Sequence, residues 1–332
     1  MKRDRQGASI YCPPPMPHDD VHEPARVDPA LARGLDPVAV RAVLRRLART
    51  PSAPWLHAEV ARRMAERLAI VRARPDLILD WWSALGAGAG ELRRLHPNAS
   101  VVAIEPDAAW AERSGTASHR PWWRIGGATS GASQVRQQDA SLPDGVGLVW
   151  ANMMLHAVLD PPALFERWEH ALAPEGFVMF SCLGPGTLLA LRRLYERLDW
   201  GAATPAFVDM HDLGDMLVGA GFADPVMDQE VLTLTWPDAA ALLTELRSLG
   251  GNAAPGRVPG LRTPRWRARL LDELSALAGP DGRIAMDFEV AYGHAFKAAP
   301  RPRADEPAQV SLARVRSQLP SMRGRGRSDP LG

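Results

Sequence analysis

The stretch LILDWWSALGAGAGELRRLHP, residues 77–97, contains a strand, a turn and a helix in close succession. Its apolar run ends on Asp80, two tryptophans follow, and three glycines then alternate with alanines. Because glycine carries no side chain, such a turn lets the backbone approach a ligand at the carboxyl end of a buried strand. The stretch therefore predicts an α/β fold with a ligand site beside Asp80.

The segments around this stretch alternate between helical and strand patterns. Residues 55–72 place apolar side chains at helical spacing, and SVVAIEPD predicts a second strand that ends on Glu105. GLVWANMMLH predicts a further strand before a helix over residues 161–172, and EGFVMFSCL predicts a strand after that helix. Strands separated by helices indicate right-handed crossovers and a parallel sheet that is covered on both faces.

The last third of the chain has a different pattern. VMDQEVLTLTW and IAMDFEVAYGHAFK alternate with period two, as the strands of an antiparallel pair do. Helices are expected between them, over residues 238–249 and 264–278. A seven-stranded, mostly parallel sheet with an antiparallel C-terminal hairpin and helical additions is the class I methyltransferase fold, which is Rossmann-like.

The composition is that of a globular protein. The chain has 332 residues, of which 46% are hydrophobic and 23% are charged, with a formal net charge of +1. This balance gives no global attraction to nucleic acid or to a membrane surface, so neither is expected as a partner. Cys12 and Cys182 lie too far apart for a zinc motif, and no metal is expected.

The two ends of the chain differ from its middle. Residues 1–35 and 298–332 are rich in Pro, Arg and Gly and lack periodicity, so both are predicted to be disordered. A methyltransferase-like domain is expected over residues 36–297. No apolar run reaches the roughly 18 residues of a membrane span, and the start of the chain lacks a signal-peptide pattern. These patterns predict a cytoplasmic protein.

Acidic residues end the predicted strands in an order that is typical of an S-adenosylmethionine site. Glu105 can accept hydrogen bonds from both ribose hydroxyls, and Asp139, after a weak third strand, can hold an adenine amino group. Each position alone has the simpler explanation that acids often follow strands and cap helices. The predicted cofactor-binding residues are Asp80, Gly86, Gly88, Glu105, Asp139 and Ala140.

From about Trp55 to Lys297 the chain resembles the malonyl-acyl-carrier-protein O-methyltransferases of biotin synthesis. The resemblance is carried by LVWANMMLHAVLDPPALFERWEHALAPEGFVMFSCLGPGTL and by FVDMHDLGDMLVGAGFADPVMDQEVLTLTW. LLTELRSLGGNAAPGR and FEVAYGHAFK extend it toward the C-terminus. It divides the domain into a cofactor half, about residues 55–182, and a substrate half, about residues 183–297.

The resemblance implies methylation of the free carboxylate of a malonyl thioester on acyl-carrier protein, with S-adenosylmethionine as cofactor. A carboxylate is already ionised at pH 7, so the reaction needs alignment and the exclusion of water rather than a general base. The partner is then an acidic carrier protein. Residues 191–198 and 260–270 are candidate arginine-bearing surfaces for it, although exposed helices often carry such charge.

The same resemblance suggests which residues line the methyl-transfer pocket. Asn152 and His156 follow the fourth strand, where the family has pocket residues, but His156 could equally pack under the next helix. Arg247 and Arg257 flank SLGGNAAPG and are candidates to hold the malonyl carboxylate, although each could be a solvated side chain. The turn at residues 184–187 could shape the pocket mouth or simply begin a helix.

The glycine motif departs from the family pattern Asp-x-Gly-x-Gly-x-Gly. Alignment on Asp80 without a gap places Trp82 and Ala84 at the first two glycine positions, and only Gly86 matches. A longer loop would use Gly86 and the two following glycines instead, but it leaves only about two turns of helix. Residues 114–133 form a second departure, a Gly- and Ser-rich insertion.

The glycine motif departs from the family pattern, whereas the sequence after it resembles the family closely. Two hypotheses follow from this difference. The first is an enzyme, an S-adenosylmethionine-dependent carboxyl O-methyltransferase of biotin synthesis. The alternative is a catalytically degenerate relative that binds acyl-carrier protein or a biotin-pathway partner as a scaffold or regulator.

Overall fold

The computed structural model describes residues 34–118 and 134–298, without the side chains of residues 116–118. Nearly all of the two predicted disordered ends, and most of the insertion at residues 114–133, lie outside the described residues. No helix in the described ranges is long and apolar enough to cross a membrane.

The described residues form one seven-stranded sheet in the order β3-β2-β1-β4-β5-β7-β6. The first five strands are parallel, and β7 runs antiparallel to both β5 and β6. The predicted fold class is therefore confirmed. The strands are β1 (Leu77–Trp81), β2 (Ser100–Glu105), β3 (Gln134–Gln137), β4 (Val146–Ala151), β5 (Leu172–Leu183), β6 (Phe222–Trp236) and β7 (Ile284–Lys297).

Helices cover both faces of this sheet. Several begin where the sequence provides a capping side chain followed by proline: Asp36, Asp160 and Thr263 each accept a backbone N–H of the first turn. The helices are α1 (Pro37–Leu47), α2 (Trp55–Leu68), α3 (Ser83–Gly86), α4 (Ala89–Leu95), α5 (Ala108–Ser118), α6 (Pro161–Ala171), α7 (Leu189–Arg197), α8 (Met210–Gly219), α9 (Ala239–Ser248) and α10 (Pro264–Ser275).

The sheet separates two apolar layers because neighbouring strand residues point to opposite faces. Leu79 and Trp81 of β1 belong to the layer that contains Phe165 and Trp168. Ile78, directly before Leu79 in the chain, belongs to the layer that contains Trp150. Burial of aromatic side chains in both layers fixes the register of the parallel strands.

The order of the strands places a crevice at their carboxyl ends. The chain continues from β1 to β2 and β3 on one side and returns to β4 on the other side of β1. In open α/β sheets, ligands bind where the order reverses in this way, here between β1 and β4. The strand predicted over GLVWANMMLH ends at Ala151, so the residues from Asn152 onward form a loop at this crevice.

Candidate functional site at the carboxyl ends of the strands

Two buried carboxylates, Asp80 at the end of β1 and Glu105 at the end of β2, form what we call the carboxylate edge. Both are at most 1% exposed. Asp80 Oδ2 accepts the Ser83 hydroxyl at 2.5 Å, and Glu105 Oε1 accepts the Ala84 N–H at 2.9 Å and the Ser114 hydroxyl. The other oxygen of each carboxylate has no hydrogen-bond partner among the described residues. Burial raises the pKa of both groups to about 7.

The chain turns back over this edge in residues 82–87, which we call the cover segment. It consists of one helical turn, α3, between Trp82 at φ 53° and Ala87 at φ 56°. This left-handed conformation favours glycine and costs a side-chain-bearing residue roughly 1 kcal/mol. Trp82 thus adopts the conformation expected of the glycine it replaces in the ungapped alignment on Asp80.

The indole of Trp82 lies over the end of β2. The Trp82 N–H donates to Ile104 O at 2.6 Å, and the indole Nε1–H donates to Gln138 Oε1 at 2.9 Å. Gln138 follows β3, and β2 lies between β1 and β3, so the ring crosses above Glu105. Trp81 instead points into the core and meets Trp168 edge-on at 5.5 Å.

The glycines of this region have packing roles. A Cβ on Gly88 would lie 2.3 Å from the buried Trp150 Nε1, which leaves no room for any larger residue. A Cβ on Gly86 would meet Asn152 O at 3.2 Å. Of the predicted cofactor-binding glycines, Gly86 therefore lies in the cover segment, whereas Gly88 packs against the core.

Asp139 and Ala140 lie further out, beyond β3. They border an open surface groove, where Arg167 donates to Ala140 O at 2.5 Å. The structure thus brings Asp80, Gly86 and Glu105 together and leaves Asp139 and Ala140 on the outer side of the edge.

A separate apolar pocket of about 180 Å³ lies behind the cover segment. Leu85 of the cover segment forms part of the pocket wall. Helix α1 covers it on one side, and the end of α9 with the following loop covers it on another. The residues that line it include Val40, Val43, Leu44, Leu47, His57, Leu85, Met153, His156, Leu183, Thr187, Leu246, Leu249, Gly251 and Phe288.

Two neutral histidines are among the polar residues that line this pocket. His57 Nδ1 donates to Leu85 O at 2.9 Å, which leaves its Nε2 as an acceptor. His156 Nδ1 accepts the Leu183 N–H at 3.4 Å, so its Nε2 carries the proton and is a donor. Burial lowers the pKa of His57 to about 4 and that of His156 to about 3. His156 was predicted from sequence, whereas His57, within an ordinary amphipathic helix, was missed.

Asn152 connects the cover segment to the pocket. It is fully buried, and its Nδ2 donates to His57 O at 2.8 Å and to Gly86 O at 2.5 Å. Its Oδ1 accepts the Ser181 hydroxyl at 2.6 Å. With its amide groups engaged by the protein, Asn152 positions the loop and does not face the pocket as a ligand for substrate.

The two arginines predicted to hold a carboxylate do not line the pocket. Arg257 pairs with Asp36 at 2.7 Å and donates to Ala254 O at 2.8 Å, so it fastens the start of α1. Arg247 is exposed in the last turn of α9 and is not among the residues that line the pocket. Thr187, from the turn at residues 184–187, does line the pocket.

Comparison with known proteins gives close matches over most of the chain, although no family model matches it. The malonyl-[acyl-carrier protein] O-methyltransferase of Gallionella capsiferriformans is 38% identical over 264 residues, 78% of this chain and 89% of that protein. The protein of the same name from Laribacter hongkongensis is 36% identical over 273 residues, 81% of this chain and 92% of that protein. Among solved structures, the YcgJ protein of Bacillus subtilis matches 73% of this chain and 99% of its own, at 11% identity and a TM-score of 0.49.

Proposed function

The chain belongs to the malonyl-[acyl-carrier protein] O-methyltransferase family, and we propose that it methylates the free carboxylate of malonyl-acyl-carrier protein in biotin synthesis. The enzyme class and the family predicted from sequence are confirmed by relatives that cover most of the chain. No comparison favours the degenerate scaffold or regulator. The cofactor of the reaction is S-adenosylmethionine.

The carboxylate edge has the chemistry that this cofactor requires. Asp80 and Glu105 each keep one buried oxygen without a hydrogen-bond partner among the described residues, a costly arrangement that a donor group relieves. Ribose hydroxyls and an amino group are such donors. Glu105 would hold the ribose hydroxyls, and Asp80 a second donor group of the cofactor.

The cover segment must move for this contact to form. Glu105 is fully buried, and one of its oxygens is bonded to the Ala84 N–H of the cover segment. The segment ends at two left-handed residues, Trp82 and Ala87, where rotation of the backbone relieves strain. We infer that cofactor binding rotates the cover segment at these two positions and exposes Glu105.

The pocket then serves the acceptor. Bound S-adenosylmethionine supplies a methyl group that its sulfonium has already activated. The malonyl carboxylate is ionised at pH 7, and the apolar walls exclude the water that would solvate it. The Nε2–H of His156 donates to one carboxylate oxygen and orients the other toward the cofactor. Because His156 stays neutral, it aligns the nucleophile without neutralising it in an ion pair.

The observation that carries this proposal is the apolar pocket with its neutral histidine donor, only one segment away from the carboxylate edge. The test incubates malonyl-acyl-carrier protein with the purified full chain and S-adenosylmethionine. Mass spectrometry of the intact carrier protein should show the gain of one methyl group. Acetyl-acyl-carrier protein, which lacks the free carboxylate, is the matched control. His156→Ala should lower kcat/KM by roughly tenfold to a hundredfold, the value of one oriented donor.

Binding of malonyl-acyl-carrier protein without formation of the methyl ester, at saturating cofactor, would contradict the enzyme and favour the scaffold. Methylation of the acetyl control to the same extent would contradict the assigned acceptor.

A further inference from the structure

Two arginines from different helices lie at the mouth of the apolar pocket. Arg46, on the outer face of α1, packs its guanidinium against Gly251, a pocket-lining residue in the loop after α9. Its Nη2 lies 2.7 Å from the position that a Cβ on Gly251 would take, and its Nη1 lies 3.4 Å from it. Arg247 projects from the last turn of α9, just before this loop.

The loop itself is built to allow this approach. Gly250 and Gly251 have φ values of 142° and 146°, a region that side-chain-bearing residues rarely adopt. A side chain at residue 251 would displace the Arg46 guanidinium from the pocket mouth. The absence of a side chain at Gly251 therefore allows the Arg46 guanidinium to lie beside the pocket mouth.

The two arginines flank the same loop, with no acidic side chain paired to either among the described residues. Partial burial, and then repulsion by Arg247, lower the pKa of Arg46. Neither guanidinium forms a hydrogen bond or an ion pair with another described residue, whereas the Arg257 guanidinium is paired with Asp36. Two close like charges are unfavourable alone and favourable around an anion.

Three arginines of the segments predicted as carrier surfaces, by contrast, are bonded within the protein. Arg192 donates to Pro185 O at 2.7 Å, Arg197 pairs with Glu273 at 2.7 Å, and Arg262 donates to Trp200 O at 2.9 Å. These side chains fasten the substrate half internally. Arg46 and Arg247 differ from these three in that they flank the pocket mouth and have no side-chain partner among the described residues.

An anion at this mouth must belong to a molecule whose remainder enters an apolar pocket. The carrier-bound malonyl group hangs from a long arm that begins with a phosphodiester, so its charge would remain outside while the arm passes inward. We propose that Arg46 and Arg247 bind the phosphate of the phosphopantetheine arm. This inference rests on the proposed function, because it takes a carrier-bound thioester as the substrate.

The test compares two small substrates that differ only in that phosphate, malonyl-phosphopantetheine and malonyl-pantetheine. The full chain should show a KM about tenfold lower for the phosphorylated thioester, with similar kcat, as two charged hydrogen-bond donors would give. Arg46→Gln and Arg247→Gln should each raise the KM for the phosphorylated thioester severalfold and leave that for malonyl-pantetheine unchanged. Arg41→Gln, on the same helix but away from the pocket mouth, is the control and should keep the wild-type ratio.

Failures of the two hypotheses are distinguishable. Equal KM values for the two thioesters, both methylated, would overturn the phosphate site and leave the proposed function intact. If neither thioester nor the carrier protein were methylated, the proposed function would fail. Calorimetry with phosphopantetheine against pantetheine would then decide the phosphate site alone. Tighter binding of phosphopantetheine, lost in Arg46→Gln, would support the site, and equal binding would overturn it.

Discussion

The carboxylate edge and the apolar pocket lie at the same end of the sheet, with the cover segment between them. They differ in how their buried polar groups are hydrogen-bonded. At the edge, Asp80 and Glu105 are buried, and each has an oxygen without a hydrogen-bond partner in the part of the chain that the structure describes. In the pocket, His57 and His156 each have one ring nitrogen bonded and the other available. The edge is incomplete without a donor, whereas the pocket is already arranged for its ligand.

Burial also gives the two regions opposite dependences on pH. The pKa values of Asp80 and Glu105 rise from 3.8 and 4.5 to about 7, so the stability they contribute is lost as pH rises toward 7. The pKa values of His57 and His156 fall from 6.5 to about 4 and about 3, so their contribution is lost as pH falls below 6.5. Ionisation of the edge therefore destabilises the folded protein as pH rises from about 4 to about 7, and protonation of the pocket histidines destabilises it as pH falls below 6.5.

The largest effect is expected at Gly88, which separates packing from ligand binding in the glycine-rich stretch. Gly88→Ala should lower the free energy of unfolding by about 3 kcal/mol, because its Cβ overlaps the buried Trp150 ring. Gly90→Ala is the matched control. Its Cβ meets nothing within 4 Å, and it should stabilise α4 by roughly 0.5–1 kcal/mol. Urea denaturation measures both, and equal effects would remove the packing explanation.

Glu105→Gln tests whether the buried carboxylate of Glu105 destabilises the folded protein when it ionises. Relative to wild type, the variant should gain about 2–3 kcal/mol in free energy of unfolding between pH 5 and pH 8, since it has no carboxylate to ionise. Its affinity for S-adenosylmethionine should fall, because an amide is a poorer acceptor for ribose hydroxyls. A variant that is unchanged in both denaturation and calorimetry would show that Glu105 is neither strained nor a cofactor ligand.

His57→Asn tests whether the pocket lowers the free energy of unfolding as pH falls. The asparagine amide nitrogen can keep the donor to Leu85 O but cannot be protonated. Wild-type protein should lose about 2 kcal/mol through His57 between pH 7 and pH 5, and the variant should not. Identical acid-side slopes for the two proteins would place the acid sensitivity elsewhere.

Trp82→Phe tests whether the cover segment must open before the cofactor binds. The variant keeps an aromatic ring but loses the hydrogen bond to Gln138, worth about 1 kcal/mol in the closed state. If the cover segment must open, S-adenosylmethionine should then bind roughly fivefold more tightly in calorimetry, because opening costs less. Weaker binding would indicate that the indole contacts the cofactor instead of blocking it.

The smallest effect is expected for Arg257→Gln. Its ion pair with Asp36 is partly exposed, so thermal unfolding should shift by no more than about 2 °C. The KM for malonyl-acyl-carrier protein should remain within about twofold of wild type, because Arg257 lies outside the pocket lining. A tenfold rise in KM at unchanged stability would instead restore Arg257 as the carboxylate ligand predicted from sequence.

Local patterns were sufficient to predict the sheet and most helices. Period-two alternation predicted β6 and β7, and the helices expected over residues 161–172 and 264–278 correspond to α6 and α10. Spacing from Asp80 also predicted that Trp82 takes a glycine position, which its left-handed backbone confirms.

The partners of the polar side chains could not be predicted in this way. Asn152 bonds to residues 95 and 66 positions away, and Arg257 pairs with Asp36 across most of the chain. Such contacts are set by the packing of α1 and α2 on the sheet, which no local pattern encodes. His57 was missed for the same reason, since only the fold brings its ring to the pocket.

The hydrogen bonds that hold the cover segment closed are shared with the pocket. Leu85 O is bonded to His57 and Gly86 O to Asn152, so rotating the segment must release both. A cofactor that opens the edge therefore also changes which hydrogen-bonding groups an acceptor meets. Linkage is reciprocal: whatever factor one ligand imposes on the affinity of the second, the second imposes on the first. If the cover segment rotates as proposed, the cofactor and the acceptor are thermodynamically coupled through these two backbone carbonyls, before any contact between them.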